Sequence, residues 1–251
     1  AMNKAIGGGQ SEQNGVLIGF FSSIGVGVLF GFINGLLISY GRVVPFVTTL
    51  VGLIGFRSLA QYYADGGEVR SNSANLFQNM GMEGLPIPFL KNQFGPVIAT
   101  WPMIAWILLS IIGSIILNKT AYGRYAIAVG ANERAARYAG IPIKRVKLIT
   151  YTLVGFCAGL AGILETAKLN SISTGSSFAT KELDVIAAVV IGGTSLRGGY
   201  GRLWGTFVGV LLLGMINNIM VFESISIHIQ GVVKGVIILV AVLLQRPASE
   251  E

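Results

Sequence analysis

The sequence predicts an all-α polytopic membrane protein of about six or seven membrane segments, including one short re-entrant or broken helix. Three observations lead there. Of 251 residues, 53% are hydrophobic and 12% charged, with mean hydropathy +0.70, whereas ordinary domains are roughly 25% charged. Several apolar runs approach the roughly 20 residues that a helix needs to cross a hydrocarbon core. The remaining charge, net +7, is gathered in short segments between those runs. Glycine, 35 of 251, is about twice its usual ~7%, as suits helices whose backbones approach closely. The whole of 1–251 reads as a single transmembrane domain.

The first span is about 15–40 and the second about 44–64, joined by the tight link Gly41-Arg42-Val43. Residues 65–96 form a long polar loop rich in Gly, Asn and Pro, with Asp65, Glu68 and Glu83 against Arg70 and Lys91. A span at about 97–117 precedes the basic segment 118–147, and another follows at about 148–168. After a Ser/Thr-rich loop, 169–182, the run LDVIAAVVIGGT is too short to cross and must be shielded by protein, since lipid satisfies no loose backbone groups. Gly192 and Gly193 end it, and SLRGGYGR, with Gly198, Gly199 and Gly201, makes a glycine-rich turn. Spans at about 203–221 and 229–245 complete the set. Gly27, Gly31 and Gly35, then Gly155 and Gly159, then Gly205 and Gly209, recur every four residues as stripes for close crossing. Cys157 is the sole cysteine and reads as a small core residue. Ala1–Gln10 lacks the basic region of a secretory signal.

Segment 118–147 carries Lys119, Arg124, Arg134, Arg137, Lys144, Arg145 and Lys147 against one acid, Glu133. Basic loops stay on the cytoplasmic side. That places 118–147, Arg42, Arg197, Arg202, Arg246 and the C-terminus inside and 65–96 outside, provided 183–194 carries the chain across. Basic residues lodged between spans argue against a nucleic-acid partner. The segment holds a short helix. Asn132 is its N-cap and Glu133 sits in the positive first turn. Glu133 and Arg137 stand four apart, and Ala135 and Ala136 favour helix. Gly140 ends it and Pro142 forbids continuation. Two isolated turns are unstable in water. The helix therefore docks, either on a cytoplasmic partner or on span ends and lipid headgroups, with Arg134, Arg137 and Tyr138 exposed.

GRYAIAVGANERAARYAGIPIKRVKLITYTLVGFCAGLAG resembles the coupling segment of the permease subunits of ribose/xylose/arabinose-type ATP-binding-cassette sugar importers. ELDVIAAVVIGGTSLRGGYGRLWGTFVGVLLLGMINN resembles their C-terminal glycine-rich motif, and NGLLISYGRVVPFVTTLVGLIGFRSLA their mid-chain hairpin. The resemblance covers about 15–245. It implies a multi-pass permease of the cytoplasmic (inner) membrane, forming the translocation path for a monosaccharide. It implies a second permease subunit, in a homo- or heterodimer, with ATPase subunits docked on Ala131–Tyr138 and Gly140. It also implies an extracytoplasmic sugar-binding protein. The subunit itself is no enzyme and binds no cofactor; ATP and Mg²⁺ belong to the ATPase. The sequence agrees in having no G-x-x-x-x-G-K-[ST] loop. A Gly-Gly-Ile-Asp-Leu-Ser-Val-Gly-Ser type motif of such permeases is absent, so the chain is expected to lack N-terminal spans of the family.

A sugar route needs polar groups facing a cavity. Asn34, Gln61, Asn217, Asn218 and Gln230 are the candidates, because neutral amides both donate to and accept from hydroxyls. The competing reading for each is an interhelical hydrogen bond. Arg57 and Glu165 are placed to pair, or Arg57 and Lys234 to snorkel outward. The competing class is a secondary transporter or channel, whose ion coupling calls for deep carboxylates; Glu165 alone lies well inside an apolar run. One His, one Cys and no clustered carboxylates leave few tools for a membrane enzyme.

Overall fold

The computed structural model describes residues 12–41, 43–70, 76–92, 95–175, 181–196 and 198–244. Ala1–Gln10, Arg42, Arg197 and Arg246 lie outside them. Residues Ala1–Leu108 with Pro142–Ser177 form one unit, and Leu109–Ile141 with Phe178–Glu251 form a second. Among the described residues, four helices are long and apolar enough to cross a membrane.

The first unit is built on α1 (Glu12–Ser39) and α7 (Ile143–Leu169). Two of the predicted glycine stripes meet here. A Cβ on Gly31 would lie 2.5 Å from the Tyr151 carbonyl oxygen, and one on Gly159 would lie 2.6 Å from that of Ser23. Gly27 and Gly155 face each other's carbonyls in the same way. Such contact exploits dispersion alone, which is what remains when lipid is as apolar as the side chains. The Ser23 hydroxyl adds one directional bond, donating to Gly159 O at 2.9 Å.

α2 (Pro45–Tyr63) begins with Pro in its first turn, where the missing N–H costs nothing. It packs on α1 through the Phe30–Phe56 stack, with ring centroids 3.9 Å apart. It has the length of a span, but Thr48, Thr49, Arg57, Ser58 and Gln61 dilute its apolar character, so it is not among those four helices.

Segment 65–96, expected as a long polar loop, carries short elements. It contains β1 (Glu68–Arg70), α3 (Leu76–Met82) and β2 (Gly84–Asn92), and β2 pairs antiparallel with β3 (Gly95–Thr100). β2 carries Pro86 and Pro88. In a two-stranded ribbon both strands are edges, which is where proline is tolerated. Phe77 of α3, 1% exposed, plugs a cluster of Val16, Ile163 and Ala167.

β1 pairs antiparallel with β4 (Ser171–Ser173), Glu68 opposite Ser173. Thr174 Oγ1 donates to Gly67 O at 3.1 Å, and an Arg57 guanidinium nitrogen donates to Gly175 O at 2.9 Å. Arg57 thus bonds a loop carbonyl instead of pairing with Glu165. These contacts put the C-terminal ends of α2 and α7 on one side. At the other end the Lys144 ammonium lies 5.1 Å from the Tyr40 ring centroid. α7 starts at Ile143, so Lys144, Arg145 and Lys147 are its first turns and not loop.

The second unit holds α5 (Ala121–Ala131), α6 (Glu133–Tyr138), α8 (Lys181–Ile191), α9 (Leu203–Phe222) and α10 (Ile227–Leu244). The connecting α4 (Trp101–Lys119) is divided between the units. α8 has 11 residues; at 1.5 Å per residue it is about 16 Å long, roughly half a hydrocarbon core. It ends in a Schellman motif: Gly193, at φ +80°, donates to Val190 O, and Thr194 N donates to Val189 O. α9 crosses α8 closely, Gly209 against the Ala188 carbonyl and Gly205 against that of Gly192. Ala187, Ala188 and Leu213 form the buried centre, with Ile191, Ile237 and Ile238 around it.

Candidate functional site

α6 is made by its ends. Asn132 Oδ1 accepts from Arg134 N and Ala135 N, both at 3.0 Å. That satisfies two of the N–H groups a helix start leaves open. At the other end Gly140, at φ +76°, donates to Arg137 O, and Ile141 N donates to Ala136 O. This is again the Schellman pattern, and an L side chain at Gly140 is disfavoured. Glu133 and Arg137 approach to 3.8 Å across one exposed turn, a contact worth a few tenths of a kcal/mol.

The faces of α6 differ. Ala136 is 4% exposed and turns into the protein, whereas Tyr138 is 91% exposed. Glu133, Arg134, Arg137 and Tyr138 line a shallow polar cleft, and Ala135 is exposed beside it. The two alanines read alike in the sequence and are not alike in place: Ala135 is available to a partner and Ala136 is not.

α5 is a helix the sequence reading did not identify within the basic segment 118–147. Its signal was Thr120. The Thr120 hydroxyl oxygen accepts from Gly123 N at 3.2 Å and donates to Ile116 O at 2.6 Å, an N-cap that also closes α4. α5 delivers Gly130 and Ala131 to the glycine-rich turn. A Cβ on Gly199 would come within 2.9 Å of Ala131 Cα, and one on Gly198 would strike the Gly130 carbonyl. Two motifs far apart in sequence, the turn at 198–201 and the lead into α6, are therefore in backbone contact. Gly192 packs on Gly205 and Gly201 on Thr194 within the same turn region.

The candidate route amides fall into both units. Asn34 lies over Gly52 of α2, where a Cβ would meet its amide at 3.0 Å. Gln61 is half-buried near the end of α2. The Gln230 amide donates to Ile225 O at 2.8 Å, tying down the start of its own helix. Asn217 and Asn218, adjacent on α9, differ: Asn218 is exposed, whereas Asn217 Oδ1 is buried and has no hydrogen-bond partner among the described residues.

Lys234 corrects another expectation. It does not snorkel outward: its ammonium donates to Asp184 Oδ1 at 2.8 Å and Oδ2 at 3.0 Å, with both side chains 20% exposed. Asp184 carried no signal in the sequence beyond standing in the first turn of a short apolar run.

The family model described as "Branched-chain amino acid transport system / permease component" matches residues 3–242. The chain is 42% identical over 222 residues to the ribose import permease protein of Bacillus subtilis (strain 168), covering 86% of this chain and 64% of that one. It is 37% identical over 236 residues to the ribose import permease protein of Escherichia coli (strain K12), covering 91% and 68%. To the L-arabinose transport system permease protein of the same strain it is 36% identical over 239 residues, covering 92% and 69%. It thus spans about two thirds of the length of these curated relatives. No solved structure matches it.

Proposed function

The chain belongs to the family of branched-chain-amino-acid-type transport permease components, and on that premise we propose that it forms the membrane path of an ATP-driven importer for a monosaccharide. The permeases it resembles carry ribose and arabinose in their names, so the proposed cargo is a pentose. In this reading an extracytoplasmic binding protein delivers the sugar, a second permease subunit completes the path, and ATPase subunits dock on α6 from the cytoplasm. The ends bearing Tyr40 and Lys144 face the cytoplasm, and the β1–β4 ribbon faces outside.

One observation carries the docking assignment. α6 is held rigidly at both ends and offers Arg134, Arg137, Tyr138 and Ala135 outward while Ala136 anchors it. A short element fixed so firmly transmits force by differential contact with a partner in its two states. Asn217 is the route candidate whose amide oxygen is left without a partner among the described residues, a state that costs ~1–3 kcal/mol. Neutral amides suit a polyol and leave an amino-acid zwitterion without counter-charges, which favours sugar over the cargo in the family's description.

Ala135→Asp and Ala136→Asp test the docking. Ala135→Asp is expected to leave insertion and melting unchanged while abolishing co-purification of the ATPase subunit. Ala136→Asp buries a charge and is expected to lower the melting temperature itself. Undiminished co-purification with Ala135→Asp removes the docking assignment. Vesicle uptake of D-ribose or L-arabinose, against leucine as the other arm, tests the cargo.

A further inference from the structure

We infer that Asp184 and Lys234 are positioning residues that set the register of the half-length helix α8 and, through the glycine-rich turn, the placement of the segment leading into α6. The register part stands on geometry; its consequence for ATPase docking rests on the transport reading.

α8 presents Asp184, Ala187, Ala188 and Ile191 at i, i+3, i+4 and i+7, one helical face. The centre of that face is buried and packs with Ile237 and Ile238 of α10. Lys234, Ile237 and Ile238 stand at the same spacing on α10. The apolar part of this seam is smooth. On the α10 side, sliding α8 by one turn, about 5.4 Å, would trade one alanine–isoleucine contact for another; on the α9 side the close contacts are those of Ala188 and Gly192 with Gly209 and Gly205. In a membrane the apolar surface exposed by a slip is solvated by lipid as well as by protein, so no hydrophobic penalty opposes it. α8 is also too short to gather register from many weak contacts.

The ion pair removes that freedom. Both carboxylate oxygens lie within 3.0 Å of one ammonium, and one turn of slip would leave two unpaired charges among apolar side chains, a costly state. The pair is thus directional where the rest of the seam is not.

Register at α8 is passed on. The Schellman end at Gly193 and the bond from Ser195 N to Tyr200 O at 3.0 Å join the helix to its turn without slack. The turn meets Gly130 and Ala131 backbone to backbone, and Asn132, the α6 cap, is the next residue. Displacing α8 therefore displaces either the turn or the α6 cap.

The test reads register without requiring transport. Thr194 and Thr206 hydroxyl oxygens lie 3.4 Å apart across the α8 end and α9. In a Cys157→Ala background, Thr194→Cys with Thr206→Cys is expected to form a disulfide readily on mild oxidation. Asp184→Asn and Lys234→Met singly leave an unpaired charge and can fail to insert. The deciding variant is therefore the neutral double Asp184→Asn with Lys234→Met. It is expected to insert normally, since no unpaired charge is left, yet to cross-link more slowly than the parent, since the directional contact is gone. Lys234→Arg, which keeps the pair, is expected to cross-link like the parent. In nanodiscs the neutral double is expected to lose ATPase-subunit association, and Lys234→Arg to keep it. Normal cross-linking in the neutral double, or slow cross-linking in Lys234→Arg, overturns the inference. Slowed cross-linking with undiminished ATPase association overturns its coupling half. A parent chain that cross-links but recruits no ATPase subunit refutes the transport reading and leaves the register result standing.

Discussion

α1 and α7 of the first unit touch backbone to backbone along a long crossing, from Ser23 to Gly31 on one side and Tyr151 to Gly159 on the other. In the second unit α8 and α9 do so only where Ala188 and Gly192 meet Gly205 and Gly209. The first crossing needs no charge. Its glycines interlock at several successive positions, so any slip drives a carbonyl into a Cα. The second offers too few such positions, and an ion pair to a third helix, α10, supplies the direction. Small residues alone specify a crossing when it is long; a half-length helix needs one polar contact that tolerates no error.

The largest effect is expected where the long crossing is filled. Gly155→Leu places a side chain on the Gly27 and Gly31 backbones, and no rotamer escapes. The cost should exceed the ~1–3 kcal/mol of ordinary core overpacking, and the variant should be nearly absent from membranes by fluorescence-detected size exclusion. Gly25→Ala, where a Cβ meets nothing within 4 Å, is the control. It should express at least as well, since Ala gains up to ~1 kcal/mol of helix propensity over Gly. Equal loss in both would mean that the glycines matter through flexibility and not through contact.

Gly209→Leu is the matching change in the second unit. It strikes the Ala188 carbonyl, but α8 is short and has an open end. We expect a milder effect: insertion retained, melting lowered, and displacement detectable as slowed 194–206 cross-linking. If Gly209→Leu is as destructive as Gly155→Leu, the two crossings are equally rigid and the contrast between them fails.

Next comes Ser23→Ala, which removes the bond from the Ser23 hydroxyl to Gly159 O across the long crossing. Net hydrogen bonds are worth ~0.5–1.5 kcal/mol, and the carbonyl it leaves is already part of α7's own ladder. A melting shift near the lower end of that range is expected, smaller than the shift caused by Gly209→Leu. The reverse order would make the hydroxyl, not the glycines, the specifier of the first unit.

How much of this was legible depended on whether a contact leaves a local period. The glycine stripes at 27–35 and 155–159 stood at helical spacing and met as that spacing implied. Asn132 and Gly140 marked both ends of α6, because cap chemistry is local. The partner of Lys234 did not show, since Asp184 lies fifty residues away and it shares the first turn of an apolar run with Glu182, where acids look like dipole complements. β1 and β4 have three residues each, too few for an alternating pattern, and Pro86 and Pro88 disguised β2 as loop. Whether Ala135 or Ala136 faced outward was likewise undecidable, because two adjacent alanines carry no amphipathic signal.

The smallest effect belongs to the ribbon that joins the ends of α2 and α7. The Ser171 hydroxyl and the nearby Arg70 guanidinium hold the Glu68 carboxyl below its ordinary value of 4.5. A carboxyl whose folded value is depressed stabilises the fold above its unfolded value and loses that contribution as pH falls through the folded one. The β1–β4 pairing should therefore be unaffected from neutrality down to the ordinary carboxylate range and loosen only below it. Amide exchange at Val69, expressed relative to intrinsic rates, should show this loosening in the parent chain. Glu68→Gln should abolish the pH dependence while leaving α1–α7 protection unchanged, since the long crossing contains no titrating contact. Loosening of α1–α7 together with the ribbon would mean that the crossing leans on its outer clasp, and that the glycine contacts alone do not specify it.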